Sequence, residues 1–72
     1  MNHPFITTNP GIAGGKPVIK GTRITVKMLA EEHAAGRTVE QLQYSYPHLT
    51  IEEIKDALAY AAEMKLTNMY AD

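Results

Sequence analysis

The spacing of apolar residues changes character at Val26. Before it, apolar residues come singly or in pairs, among glycines and prolines. After it, they recur every three or four residues. The first pattern predicts short extended pieces and the second predicts helices. Phe5-Ile6-Thr7-Thr8 reads as a strand stopped by Asn9-Pro10-Gly11. Pro17-Val18-Ile19 reads as another, with proline at the first residue, where a missing N–H does least harm. Arg23-Ile24-Thr25 is a third extended piece, and Phe5–Thr8 can pair with either of the other two. Gly14-Gly15 marks a turn and Lys20-Gly21-Thr22 a tight connection. A hairpin this small is marginal in water, so it must rest on the helices or on a second subunit.

Three helices follow. The first is predicted from Val26 to Ala35, capped by Thr25, with Val26, Leu29, Ala30, His33 and Ala34 on the buried face and Gly36 just past its end. The second is announced by Thr38-Val39-Glu40-Gln41, a capping-box pattern; Val39, Leu42 and Tyr46 form its apolar stripe and Pro47 ends it. The third opens with a second such box, Thr50 to Glu53, and two acids in its first turn. Ile51, Ile54, Leu58, Ala61 and Ala62 face the core, with Ala57 beside them, and the helix is expected to reach about Leu66. The chain therefore reads as one mainly α domain over 1–72: a β-hairpin or arm over 5–25, three helices over 26–66 and a tail over 67–72.

Seventy-two residues bury only about 60% of the surface that the unfolded chain exposes. Small domains make up the deficit with disulfides, metals or a second subunit. Cysteine is absent, which excludes disulfides and thiolate metal sites and leaves a homodimer as the expectation. Val18, Ile24, Met64, Leu66, Met69 and Tyr70 are the apolar residues left over for such an interface. No run approaches the roughly 20 apolar residues of a membrane-spanning helix, and Met1-Asn2-His3-Pro4 does not resemble a signal peptide. The expected location is cytoplasmic, without membrane association.

The run Ile6-Thr7-Thr8-Asn9-Pro10, the stretch from Gly15 to Val26 with its Gly-Lys-Pro-x-Ile-x-Gly-Thr-Arg-Ile signature, Gly36, Tyr46-Pro47-His48-Leu49-Thr50 and Ile54 to Tyr60 together resemble the family catalogued as domain of unknown function 433. The resemblance covers about Ile6 to Ala62. It implies a small helix-turn-helix domain, with the three helices as a trihelical bundle and the hairpin where a wing or arm stands. It also implies a DNA-binding regulator, and more specifically an antitoxin resembling VapB paired with a PIN-like nuclease toxin.

Charge adds a location for such a function. Overall the net charge is −1. Residues 1–37 carry Lys16, Lys20, Arg23, Lys27 and Arg37 against Glu31 and Glu32, a balance of +3. Residues 38–72 carry Lys55 and Lys65 against Glu40, Glu52, Glu53, Asp56, Glu63 and Asp72, a balance of −4. Lys16, Lys20, Arg23 and Lys27 on a turn-rich hairpin, with a hydroxyl from Thr22 and Arg37 joining from the next turn, could neutralise DNA phosphates. The same charges could equally be solvated surface, with Gly-Thr-Arg a structural motif. The start of the third helix, by contrast, presents Glu52, Glu53 and Asp56 where a recognition helix would meet phosphate, which disfavours ordinary major-groove reading by that helix. An acidic helical half suits a protein-interaction module instead, the alternative reading.

No enzyme chemistry emerges. Gly14-Gly15-Lys16 fails as a phosphate loop, because Pro10 stands where the first glycine belongs and Pro17 where Ser or Thr belongs. His3, His33 and His48 share no helical face, so no metal is expected, and neither is any cofactor. The adjacent pairs Glu31/Glu32 and Glu52/Glu53 diverge on a helix. Tyr44, Tyr46, Tyr60 and Tyr70 lie among acids rather than bases, which suits core or interface better than stacking on nucleic-acid bases.

Overall fold

The computed structural model describes residues 3–64. Two strands and three α-helices follow in order: β1 (Ile6–Thr7), β2 (Val18–Ile19), α1 (Val26–Ala34), α2 (Val39–Ser45) and α3 (Ile51–Met64), with one short 3-10 turn (Ala13–Gly15) between the strands. A short N-terminal hairpin thus precedes three helices, and the fold is mainly helical. Predicted Leu66 and the tail lie outside the described residues.

β2 is the centre of the N-terminal half. Ile6 pairs with Ile19 and Thr7 with Val18 in antiparallel register. On its other side Val18 bridges Thr25, Ile19 N–H donates to the Ile24 carbonyl at 3.0 Å, and Val26 N–H donates to the Pro17 carbonyl at 3.0 Å. Of the two partners that the sequence offers to Phe5–Thr8, the structure uses Pro17–Ile19, and Arg23–Thr25 pairs instead with the other edge of β2. Alternation sends Val18 and Ile19 to opposite faces, and both are fully buried. The loop between the strands turns at Ala13–Gly15, where all three residues have positive φ (52°, 66° and 87°).

The last hydrogen bond from β2 delivers the chain directly into α1. Thr25 caps it, its hydroxyl accepting from Met28 N–H at 3.0 Å. At the far end Gly36 takes φ 106°, Gly36 N–H donates to the His33 carbonyl and Arg37 N–H to the Glu32 carbonyl. This is a Schellman termination, which glycine adopts without Cβ strain. α1 stops at Ala34, and His33 and Ala34 are exposed, contrary to the predicted face. The helix is too short for a third turn of core: Val26, Leu29 and Ala30 alone are buried on it, and His33 instead donates from Nδ1 to the Arg37 carbonyl at 2.9 Å.

Both capping boxes form. Thr38 and Gln41 exchange bonds of 3.1 and 2.8 Å, and Thr50 and Glu53 do the same at 3.1 and 2.8 Å. Between α2 and α3, Leu49 N–H donates to the Tyr46 carbonyl, folding the turn so that Leu49 is buried. On α3 the buried positions are Ile54, Ala57 and Ala61, with Leu58 half-buried against them, whereas Ala62 is exposed. The buried stripe is centred on Ala57, the residue that apolar spacing sets at its margin. Small residues at 57 and 61 let α3 sit close to its neighbours.

The main core joins Ile19, Val26, Leu29, Leu42, Leu49 and Ile54, with the alanines of α1 and α3 filling between them. Replacing Ile54 by alanine is expected to cost about 2–5 kcal/mol, because neighbours relax only partly into the cavity. Ala62→Glu, on the exposed face of the same helix, is expected to change stability by less than about 0.5 kcal/mol. Urea denaturation of both variants checks the assignment of the α3 face.

Candidate functional site

The basic turn is built from its backbone outward. Thr22 N–H donates to the Ile19 carbonyl at 3.0 Å, closing a four-residue turn with Gly21 at its third position. Gly21 has φ 78°, which that position demands in a type II turn and which a side chain disfavours. The Thr22 hydroxyl donates to the same Ile19 carbonyl at 2.8 Å and accepts from Ile24 N–H at 3.0 Å. That hydroxyl hydrogen is consumed in holding the turn, so Thr22 is a structural residue here rather than a free donor for a ligand. Lys20 N–H is anchored on the Phe5 carbonyl at 2.9 Å, while the Lys20 and Arg23 side chains are exposed on either side of the Gly-Thr pair.

The other predicted cations are placed less closely. Lys16 is exposed at the opposite end of β2. Lys27 is half-buried in the first turn of α1. Arg37 lies beyond the C-terminal end of α1, about 13 Å of helix away from that first turn at 1.5 Å per residue. Its Nε is 3.8 Å from a Glu32 carboxylate oxygen. The fold therefore groups Lys20 and Arg23 on one turn, sets Lys16 and Lys27 on the flanking segments, and directs Arg37 to a separate ion pair.

Glu32 does more than pair with Arg37. It accepts a hydrogen bond of 2.5 Å from the Tyr46 hydroxyl, linking α1 to the end of α2. That carboxylate, together with partial burial, pushes the Tyr46 phenol up to about 12.

Of the predicted interface residues, Val18 is fully enclosed by its own chain and is removed from that role. A two-residue strand has little room to hide a side chain, yet pairing on both edges buries both of its faces. Ile24 is half-buried against the core. Met64 is 55% exposed and stays available, whereas Leu66, Met69 and Tyr70 lie outside the described residues. Tyr44, 89% exposed, is a surface residue.

A second polar cluster has no counterpart among the predicted sites. His3 Nδ1 lies 2.6 Å from Asp56 Oδ1 and its Nε2 lies 2.9 Å from Glu63 Oε1. Asp56 also accepts from Phe5 N–H at 3.2 Å, and the edge of the His3 ring meets Tyr60 at 5.2 Å and 77°. Glu63 first and Asp56 second hold the His3 pKa above its ordinary 6.5. Asp56, Tyr60 and Glu63 have the spacing of one helical face, which is legible in sequence. Nothing local ties that face to a histidine 53 residues upstream of Asp56. Among the described residues, no group of three His, Cys, Asp or Glu side chains could hold a metal, and no helix is long and apolar enough to cross a membrane.

Replacing Tyr46 by phenylalanine is expected to abolish a tyrosine ionisation near 12 in an alkaline absorbance titration. The phenol–carboxylate bond stabilises the fold fully below pH 10, and its contribution fades as pH rises from about 10 to about 12, since the folded state holds the proton more tightly. Thr22→Val, nearly isosteric, is expected to lower stability by about 1–2 kcal/mol by removing the turn's hydroxyl bonds. Thermal denaturation checks it.

The family described as "Protein of unknown function (DUF433)" matches residues 6–61. An uncharacterized protein, y4eO, from Sinorhizobium fredii (strain NBRC 101917 / NGR234) is 43% identical over 57 residues, covering 79% of this chain. The match spans 26% of that relative, so the chain corresponds to about a quarter of its length. The crystal structure of a DUF433 member protein from Anabaena variabilis ATCC 29413 superposes with a TM-score of 0.81 at 30% identity. It covers 94% of this chain and 69% of that one.

Proposed function

The chain belongs to the DUF433 family, and we propose that it is a small DNA-binding regulator that meets phosphate through the turn carrying Lys20 and Arg23, with Lys16 and Lys27 adding charge from the far end of β2 and the first turn of α1. The observation that carries this reading is that turn: a rigid projection, locked by Gly21 and Thr22, with two exposed cations and no acidic residue of its own. Cations on a preformed loop meet backbone phosphate without the loop's backbone having to be ordered on binding, and phosphate contacts supply most of non-specific affinity. α3 contributes little to phosphate contact in this reading. Glu53 closes its capping box, Asp56 and Glu63 hold His3, and Glu52 stands exposed in the first turn. As a narrower form of the proposal, the regulator is the antitoxin of a PIN-like nuclease toxin, working as a homodimer.

A protein-interaction module is the second reading, favoured by Tyr44 and Met64. Both are large, apolar or aromatic, and well exposed on the helical half. Tyrosine is enriched at the energetic centre of interfaces.

Electrophoresis with DNA from upstream of the protein's own gene discriminates the two. Replacing Lys16, Lys20 and Arg23 together by alanine is expected to weaken the complex and flatten the log–log salt slope by about 2–3, close to one for each phosphate that is no longer neutralised. An unchanged slope would overturn the assignment of the turn. No salt-sensitive complex at micromolar protein would remove the regulator and leave the interaction module.

A further inference from the structure

We infer that His3 is a proton-operated latch that pins the N-terminal arm to α3 and thereby keeps the outer edge of β2 covered. Both nitrogens of its ring lie within hydrogen-bond distance of carboxylate oxygens, 2.6 Å to Asp56 and 2.9 Å to Glu63. A neutral imidazole has one N–H and one lone pair, so only the doubly protonated ring satisfies both carboxylates. Removal of that proton leaves a lone pair facing a carboxylate where a hydrogen bond stood. The groups that meet the ring are Asp56, Tyr60 and Glu63, all from α3; β1 begins three residues on, and the segment before it adds only the Phe5 N–H to Asp56.

The hydrogen bonds run onward from the latch. Asp56 holds Phe5 N–H, and the Phe5 carbonyl accepts from Lys20 N–H at 2.9 Å, at the root of the basic turn. β1 is two residues long and cannot hold the edge of β2 by its ladder alone. When the latch opens, residues 3–5 are released from α3, Ile6 alone is left to hold β1 against the core, and the Lys20 N–H at the edge of β2 opens more readily. The latch works in the same way with or without DNA.

The sign follows from linkage. His3 stabilises the closed arm fully below its ordinary pKa of 6.5, and the contribution is lost as pH rises through the higher value that holds in the closed arm. The test is an NMR pH titration of the whole chain, following the His3 imidazole and the exchange protection of the Lys20 and Ile54 amides, normalised to unstructured rates. Expected is a His3 midpoint above 6.5 and a fall in Lys20 protection across the same range. The opening equilibrium should grow about tenfold per pH unit between the open-arm and closed-arm midpoints. The Ile54 amide, bonded within α3 to the Thr50 carbonyl, should keep its protection. His3→Gln should remove the pH dependence at Lys20. Glu63→Gln, at the solvent end of the cluster, should lower the His3 midpoint while the fold is retained. A midpoint at or below 6.5, a midpoint unmoved by Glu63→Gln, or a parallel fall in Lys20 and Ile54 protection would each overturn the latch.

Discussion

Pairing of β2 on both edges is the constraint on which the rest of this small domain depends. Two residues, Val18 and Ile19, receive β1 on one side and Thr25 on the other. Two strand residues make a poor sheet, yet this arrangement fixes three things together. It places Ile19 in the helical core, it starts α1 at Val26 through the bond to Pro17, and it forces the connection at Lys20–Thr22 to be tight. A chain of 72 residues has little apolar surface to spare, so an irregular N-terminal third must be held by hydrogen bonds that each serve more than one segment.

Thr22 and Glu32 show how that economy works. The Thr22 hydroxyl closes the turn in one direction and steadies Ile24 in the other. Glu32 receives Tyr46 and Arg37 together, joining α1, α2 and the turn between them. Thr22 and Arg37, both predicted to face DNA, are recruited into such roles. Lys20 and Arg23 stand on backbone that is already held in place.

The helical half is legible in the sequence because its signals are local. Thr25, Thr38 and Thr50 cap helices through residues three positions away, and Gly36 terminates α1 within a single turn. The ends of the buried stripes are less so: His33, Ala34 and Ala62 continue the apolar spacing beyond the point where a neighbouring element covers it. Period reports a helical face, not how far the partner extends. Val18 misleads for the opposite reason, since its burial comes from pairing on both edges. The His3 cluster is invisible in sequence because it joins residues 53 and 60 positions apart, and a single histidine beside a proline has no signature.

The central claim is that the Lys20–Arg23 turn, rather than the start of α3, meets DNA. The most direct measurement is backbone chemical-shift mapping of the chain titrated with DNA from upstream of its own gene. Binding through the turn predicts perturbations concentrated at Lys16, Lys20, Gly21, Arg23 and Lys27, with the amides of Thr50 to Lys55 unmoved. Perturbations centred on the first turn of α3, or none at saturating DNA, would contradict it.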